Sequence, residues 1–469
     1  MLKKITLCFL FIFSNYLIAD PKDYYYKRLQ SQTHQLQEDK DVSDFADTTI
    51  EEYFPQLIDH NNYYSGAFSQ RFFVDERYSL SNDSPVFFYI CGEAACTKRN
   101  LSGSIRSLAR KYHAKLVALE HRYYGMSVPG KNLSTENLKH LKTEFALKDL
   151  KRFQEELVLS RNWTGKWIAF GGSYPGSLSA YYRLKYPEMV IGALASSAPV
   201  MAVEHFDMYD AHVANMAGPE CLAKMQQSVK IAEAALIDPS KLAQIKQMFS
   251  AEAISDDKDF MYLIADIGAA AVQYGMRDQF CNDLTSAQTP LEGYAKFAQY
   301  LYSAWGVNAL SFNPQGALDE NPATYENDIG IRSWYYQSCT EYGFWQNAYL
   351  DPTKSARSSL INLDYHKNVC KRLFNVEYNL DTQKINHEYY LPLLNPDTKN
   401  ILFTNGSVDP WSFLSISEKL GNNTNPNLDY FMIEGAAHCD DLKIPRKSDS
   451  ASMQEVRLKL SSLIEKWLK

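Results

Sequence analysis

Ser173, Asp409 and His438 are of the types that make up a nucleophile, an orienting carboxylate and a general base, and each follows a short apolar run. The run WIAF at 167–170 leads through a glycine pair into Ser173, within GGSYPG, and Leu178, Tyr181 and Tyr182 then recur at helical spacing. That pattern predicts a buried strand, a sharp turn and a helix, with the serine on the turn. A serine there carries its Oγ clear of the sheet, and the next N–H faces any oxyanion developing at the helix N-terminus. The usual elbow reads Gly-x-Ser-x-Gly, whereas here Pro175 takes the fifth place and the second glycine moves to Gly176. Proline is tolerated because early helix positions have no intrahelical partner for their N–H.

Asp409 follows the run ILFTNG at 401–406, and His438 follows YFMIEG at 430–435. In open parallel sheets ligands bind beyond the carboxyl ends of strands, so all three residues lie where a site forms. His438 would take the Ser173 proton and later give it to the leaving group, with Asp409 fixing its tautomer. Tyr174 N–H is the first candidate oxyanion donor, and Gly92 or Glu93, just after the strand-like VFFYI at 86–90, supplies the second. Taken singly, Asp409 could cap a turn before Pro410 and His438 could be a surface histidine on a loop. Their order and their strand-end positions together favour chemistry.

The elements that must position these groups alternate between apolar strand runs and helical patterns up to about residue 204. Such alternation implies α/β architecture: a mostly parallel sheet with helices on both faces. With the chain order Ser, Asp, His it points to an α/β-hydrolase. From 205 to 390 the pattern is helical with no convincing strand, which reads as a large helical cap insertion. The expected division is a signal peptide over 1–19, an N-terminal arm over 20–50, a first core part over 51–204, the cap over 205–390 and a second core part over 391–469. The sheet is expected to begin at 64–74.

A chain of 469 residues is too long for one ordinary core, consistent with an insertion. The net charge of −7 offers no basic footprint for nucleic acid. Lys3 and Lys4 precede an apolar run over 5–13 and Ala19, which reads as a secretory signal peptide cleaved near Ala19, with an uncleaved anchor as the alternative. The product would be secreted, periplasmic or lysosome-like, with no membrane span after cleavage. Export permits disulfides. Of eight cysteines Cys8 lies in the leader, which leaves seven and therefore at least one unpaired or joined to another chain. No Cys/His cluster has zinc spacing, so neither a metal nor a cofactor is expected.

GGSYPG, EHRYYG followed by SVP, SSAPV at 196–200, YQSCTE at 336–341, NGSVDPW and AHCDDL together resemble the proline-selective serine exopeptidases. That family includes lysosomal Pro-X carboxypeptidase, dipeptidyl peptidase II and thymus-specific serine protease. The likeness runs from about residue 64 to the C-terminus. EHRYYGMSVP, the cysteine after His438 and PRKSDS at 445–450 resemble the thymus-specific branch. The resemblance implies Ser173 as nucleophile, Asp409 and His438 as its partners, Trp411 in an apolar proline pocket, Phe344 near it, and a Cys339–Cys370 disulfide. Cys221 could pair with Cys281 inside the insertion, and Cys91 with Cys96 across a short loop, leaving Cys439 free. Lysosomal members carry a sequence like Gly-Asn-Glu-Gly-Asp after the second strand. Here it reads Cys91, Gly92, Glu93, Ala94, Ala95, so one acidic residue is lost and the exopeptidase mode stays open.

The resulting expectation is an exported serine peptidase acting on short peptide substrates beside proline, as a Pro-X carboxypeptidase or an X-Pro dipeptidyl peptidase. Glu93, Glu120 or Glu341 could hold a substrate amine, and Arg122 a carboxylate. A homodimer is left open. An esterase or lipase on the same scaffold, or an inactive hydrolase-fold binding protein, are the rival readings.

Overall fold

The computed structural model describes residues 48–417 and 424–469. The expected signal peptide and most of the expected N-terminal arm lie outside these residues. The first strands are β1 (Ile50–Leu57), β2 (Ala67–Asp75), β3 (Val86–Ile90), β4 (Lys115–Leu119), β5 (Trp167–Gly172) and β6 (Gly192–Ser196). Between them run α1 (Ser104–Tyr112), α2 (Thr143–Ser160) and α3 (Tyr174–Lys185). Every residue of β4, β5 and β6 is buried, as expected of strands covered on both faces.

After β6 the chain leaves the sheet. It forms a short strand β7 (Val203–His205) and then α4 (Met208–Ala217), α5 (Pro219–Ala235), α6 (Pro239–Met248), α7 (Asp257–Gln273), α8 (Arg277–Ser286), α9 (Pro290–Trp305) and α10 (Ile331–Gln337). β8 (Gly343–Trp345) and α11 (Leu363–Phe374) follow. β7 and β8 pair in parallel, a contact that sequence periodicity could not reveal in strands of three residues. α7 is apolar on nearly every side, with Phe260, Leu263, Ile264, Ile267, Ala271 and Val272 buried, so it forms the centre of this helical layer.

The chain returns with β9 (Ile401–Gly406) and β10 (Asp429–Ile433) and closes with α12 (Ala451–Leu468). The sheet has the order β1-β2-β4-β3-β5-β6-β9-β10. β1 and β2 are antiparallel to their neighbours and the other pairings are parallel. From β3 the chain steps to one side to form β4, and then crosses to the other side to form β5. The crevice between the carboxyl ends of β3 and β5 is therefore a topological switch point, where such sheets bind ligands.

The sheet starts earlier than residues 64–74. β1 precedes them, and its sequence IEEYFPQL turns charged residues outward and carries Pro55. Those are edge-strand features and they dilute the apolar signal. On the far side α12 buries Leu460, Ile464 and Trp467, and a Cβ at Gly192 would stand 2.3 Å from the Trp467 ring, so only glycine lets the indole reach β6. Three disulfides form, Cys91–Cys96, Cys221–Cys281 and Cys339–Cys370. Cys439 is the free thiol among the described residues.

Candidate active site

β5 ends in Gly171 and Gly172, and the chain turns at Ser173 directly into α3. A Cβ at Gly171 would lie 2.1 Å from the Pro175 carbonyl oxygen, and one at Gly176 would lie 2.8 Å from that of Ser196. The turn closes only around glycines, and the second is needed at 176 because that position meets the end of β6. Ser173 sits at φ 63° and ψ −135°, where residues with a Cβ are rare, and its N–H donates to the Ser196 carbonyl at 2.8 Å. Strain of this kind persists where its surroundings impose it, as the packed turn does here. Tyr174 is the first residue of α3, so its N–H has no intrahelical acceptor.

Asp409 and His438 meet beyond the ends of β9 and β10. His438 Nδ1 lies 2.8 Å from Asp409 Oδ2, and the carboxylate is fully buried. Asp409 also caps the turn that starts at Pro410, because its Oδ1 accepts the Trp411 N–H at 3.0 Å. The aspartate thus makes both contacts, the histidine on one oxygen and the turn on the other. Burial of the His438 ring lowers its pKa, but the charge and hydrogen bond of Asp409, with Cys439 beside it, raise it well above the ordinary imidazole value.

Ser173 and His438 line one cavity of about 700 Å³, bounded by the sheet ends below and the helices of 205–390 above. Trp411 and Phe344 line it too, with ring centroids 5.5 Å apart and planes at 84°. Phe206 and Tyr209 back Trp411 at 5.5 Å each, and Tyr342 stacks on Phe344 at 5.1 Å. Phe344 adopts φ 61° immediately after Gly343 at φ 71°, a conformation that turns its ring toward the tryptophan only at a local cost. The loop after β3 reaches the same cavity through Gly92 and Glu93. At Gly92 a Cβ would stand 2.3 Å from Pro175 Cγ, so the absence of a side chain brings this loop against the Ser173 turn.

The sequence profile of the family described as Serine carboxypeptidase S28 matches residues 56–460. The chain belongs to that family. It is 34% identical over 449 residues to the probable serine protease EDA2 of Arabidopsis thaliana, covering 90% of this chain and 89% of that one. It is 30% identical over 435 residues to the thymus-specific serine protease of Mus musculus, covering 86% and 84%. Against the lysosomal Pro-X carboxypeptidase of Mus musculus it is 26% identical over 449 residues, covering 89% and 88%. The S28 chain is a serine-type peptidase on an α/β-hydrolase fold.

Several charged candidates of the S28 chain are committed elsewhere. Arg122 is wholly buried: its Nε and Nη2 donate to Asp149 at 2.7 and 2.6 Å, Nη2 also reaches the Leu57 carbonyl, and Nη1 bonds those of Ile58 and His140. It cannot also hold a substrate carboxylate. Glu120 is equally buried, paired with Arg71 at 2.6 Å and accepting from Cys96 N, Met126 N and Ser127 Oγ. Glu341 lies outside the cavity lining, where its carboxylate accepts from the Thr143 N–H and hydroxyl and so caps α2. Burial pushes it up to about 7 against those hydrogen bonds. Of the three proposed amine holders, Glu93 alone lines the cavity.

Two further residues line this cavity without any signal in the sequence. Gln273, the last residue of α7, accepts Trp411 Nε1 at 2.9 Å and the Tyr209 hydroxyl at 2.6 Å on its side-chain oxygen. Its main-chain carbonyl accepts the His438 N–H at 2.9 Å. Asp266, two turns earlier, faces the cavity. Burial pushes its carboxyl up to about 6, partly offset by the charge of Arg357. Neither stands in a motif, and mid-helix residues give no signal until the helix is placed against the site.

Proposed function

We propose that the chain is an exported serine exopeptidase that cleaves short peptides beside proline. The observation that carries this reading is the meeting of Trp411 and Phe344, edge to face, in the same cavity as Ser173 and His438. The two rings pack in contact and present an apolar corner to the cavity, against which the pyrrolidine ring of proline is buried by CH contacts that need no hydrogen bond. The helical layer over the cavity favours chain termini and short peptides over folded proteins, and it excludes water from the reaction.

In this reading Ser173 Oγ attacks the scissile carbonyl while its proton passes to His438 Nε2, the nitrogen that Asp409 leaves unengaged. The oxyanion is received by Tyr174 N–H and the Gly92 or Glu93 backbone. The tetrahedral adduct collapses, the carbon–nitrogen bond breaks, and the amine departs with the proton from His438. Water then repeats the sequence on the acyl-serine, releasing the acid and restoring Ser173. Cys439 lines the cavity beside His438 and has no part in these steps.

The test is incubation of the purified protein and its Ser173→Ala variant with proline-containing peptides at acidic and neutral pH, with products read by mass. Ser173-dependent cleavage next to proline is expected. Cleavage confined to activated esters would sink the peptidase assignment for this site.

A further inference from the structure

Resting on that reading, we infer that Asp266 binds the free α-ammonium group of the substrate, so that the enzyme cuts from the amino terminus and releases X-Pro units. Tyr262, Asp266, Ala270 and Gln273 form one stripe of α7 along the cavity wall. Gln273 marks the catalytic end of this stripe, through its bonds to His438 and Trp411. Asp266 lies seven residues back, about 10 Å along the helix axis. An extended X-Pro unit spans about 7 Å from its amine to its scissile carbonyl, and the aspartate side chain covers the remainder.

The chemistry of the wall agrees with this placing. Among the described residues that the helical segment 205–390 contributes to the cavity, Asp266 is the one that carries a charge. No donor or cation among the described residues lies within hydrogen-bonding or ion-pairing distance of its carboxylate. Buried Arg357 acts on it only from further off: its Nε lies 3.5 Å from Asp210, its Nη1 bonds the Gln346 carbonyl, and its Nη2 makes no hydrogen bond to Asp266 or to any other group. Tyr262 and Tyr335 line the same cavity close enough for the Asp266 charge to act on their hydroxyls, and Trp345 stacks on Tyr335 at 6.3 Å. A carboxylate without a hydrogen-bonding partner, on an aromatic stretch of the cavity wall, is what a primary ammonium would complete. The cations of the lining, Arg99, Arg106, Arg110 and Lys443, come from the segment after β3 and the loop after His438 instead. Of these, Arg106 pairs with Asp75 and Lys443 with Asp440.

The experiment compares Ala-Pro-aminomethylcoumarin with its N-acetyl form, using wild type, Asp266→Asn, Asp266→Glu and Ser173→Ala. Wild type is expected to cleave the free-amine substrate with kcat/KM about 10-fold or more above the acetylated one, the size of one charged hydrogen bond. Asp266→Asn should bring the two within about 2-fold by raising KM for the free amine, while Asp266→Glu keeps part of the preference. Equal cleavage of the two substrates by wild type overturns the inference without any variant having to fold. So does Asp266→Asn, with an unchanged melting temperature, keeping the full preference. Ser173-dependent release of one residue from the carboxyl end of an N-blocked Pro-X peptide overturns the inference but spares the proline reading. Failure to cut any proline substrate, in protein whose Ser173 still reacts with a fluorophosphonate, overturns both.

Discussion

The main-chain carbonyl of Gln273 accepts the main-chain N–H of His438 at 2.9 Å, so the last residue of α7 is bonded directly to the residue expected to act as base. The same glutamine holds Trp411 and Tyr209 through its side chain. Gln273→Leu keeps the volume and the main-chain bond but leaves the indole N–H and the tyrosine hydroxyl buried without an acceptor. Each such loss costs about 1–3 kcal/mol. For proline amides kcat/KM should fall about 10-fold or more and the melting temperature should drop. A small activated ester that does not use the Trp411 slot should be hydrolysed nearly as before. Equal losses on both substrates would mean that Gln273 supports the base loop alone.

The acid limb of the pH profile reports the base. As the proposed base, His438 must be neutral to accept a proton, and its pKa stands above the ordinary imidazole value because Asp409 outweighs burial. Activity should therefore rise with pH through a limb above about 6.5. In Asp409→Asn the raising charge is gone while burial still acts, so the limb should move to lower pH, with kcat lowered about 10⁴-fold. A limb that stays in place in this variant would belong to another group.

Glu341 ties stability to pH. Its folded-state pKa is raised from 4.5 to about 7, mainly by burial. A carboxyl that holds its proton more tightly when folded favours the folded state fully below about 4.5 and loses that contribution as pH rises through 7. The melting temperature should fall across that window, and Glu341→Gln, which can still accept from Thr143, should flatten the fall. Thermal melts of the two proteins at pH 5 and pH 8 measure it. Parallel curves would assign the pH dependence to other groups.

These residues also mark what the sequence could carry. The GGSYPG elbow was legible because strand, glycines, serine and helix are contiguous, and its glycines answer to contacts made within the turn itself. Asp409 and His438 were legible because each follows a strand. Glu120, Arg122 and Glu341 read as ligands by type, yet all three are spent on internal partners, and type alone does not report distance. Gln273 and Asp266 were invisible for the converse reason, since their surroundings are assembled by tertiary packing of a motif-poor helix. β1 gives no such signal, because an edge strand with charged residues and a proline lacks the apolar run that marks its neighbours.

Gly92 offers a test of the loop that faces Ser173. An alanine Cβ there would stand 2.3 Å from Pro175 Cγ, 2.5 Å from its Cδ and 3.2 Å from Tyr174 Cδ1. The proline ring is fixed at the start of α3 and cannot swing aside, so the loop itself must retreat and carry its backbone donors away from the serine. Loss of one oxyanion donor costs about 10²–10³ in kcat, and KM depends on it far less. Gly92→Ala should therefore lower kcat about 10²-fold, slow fluorophosphonate labelling of Ser173 in parallel and leave KM within about 3-fold. Gly130→Ala is the control, because its Cβ would come no closer than 3.4 Å to a neighbour and its φ of +87° burdens stability alone. If Gly92→Ala kept its kcat while melting lower, the loop after β3 would be a packing element and the second oxyanion donor would have to be sought elsewhere.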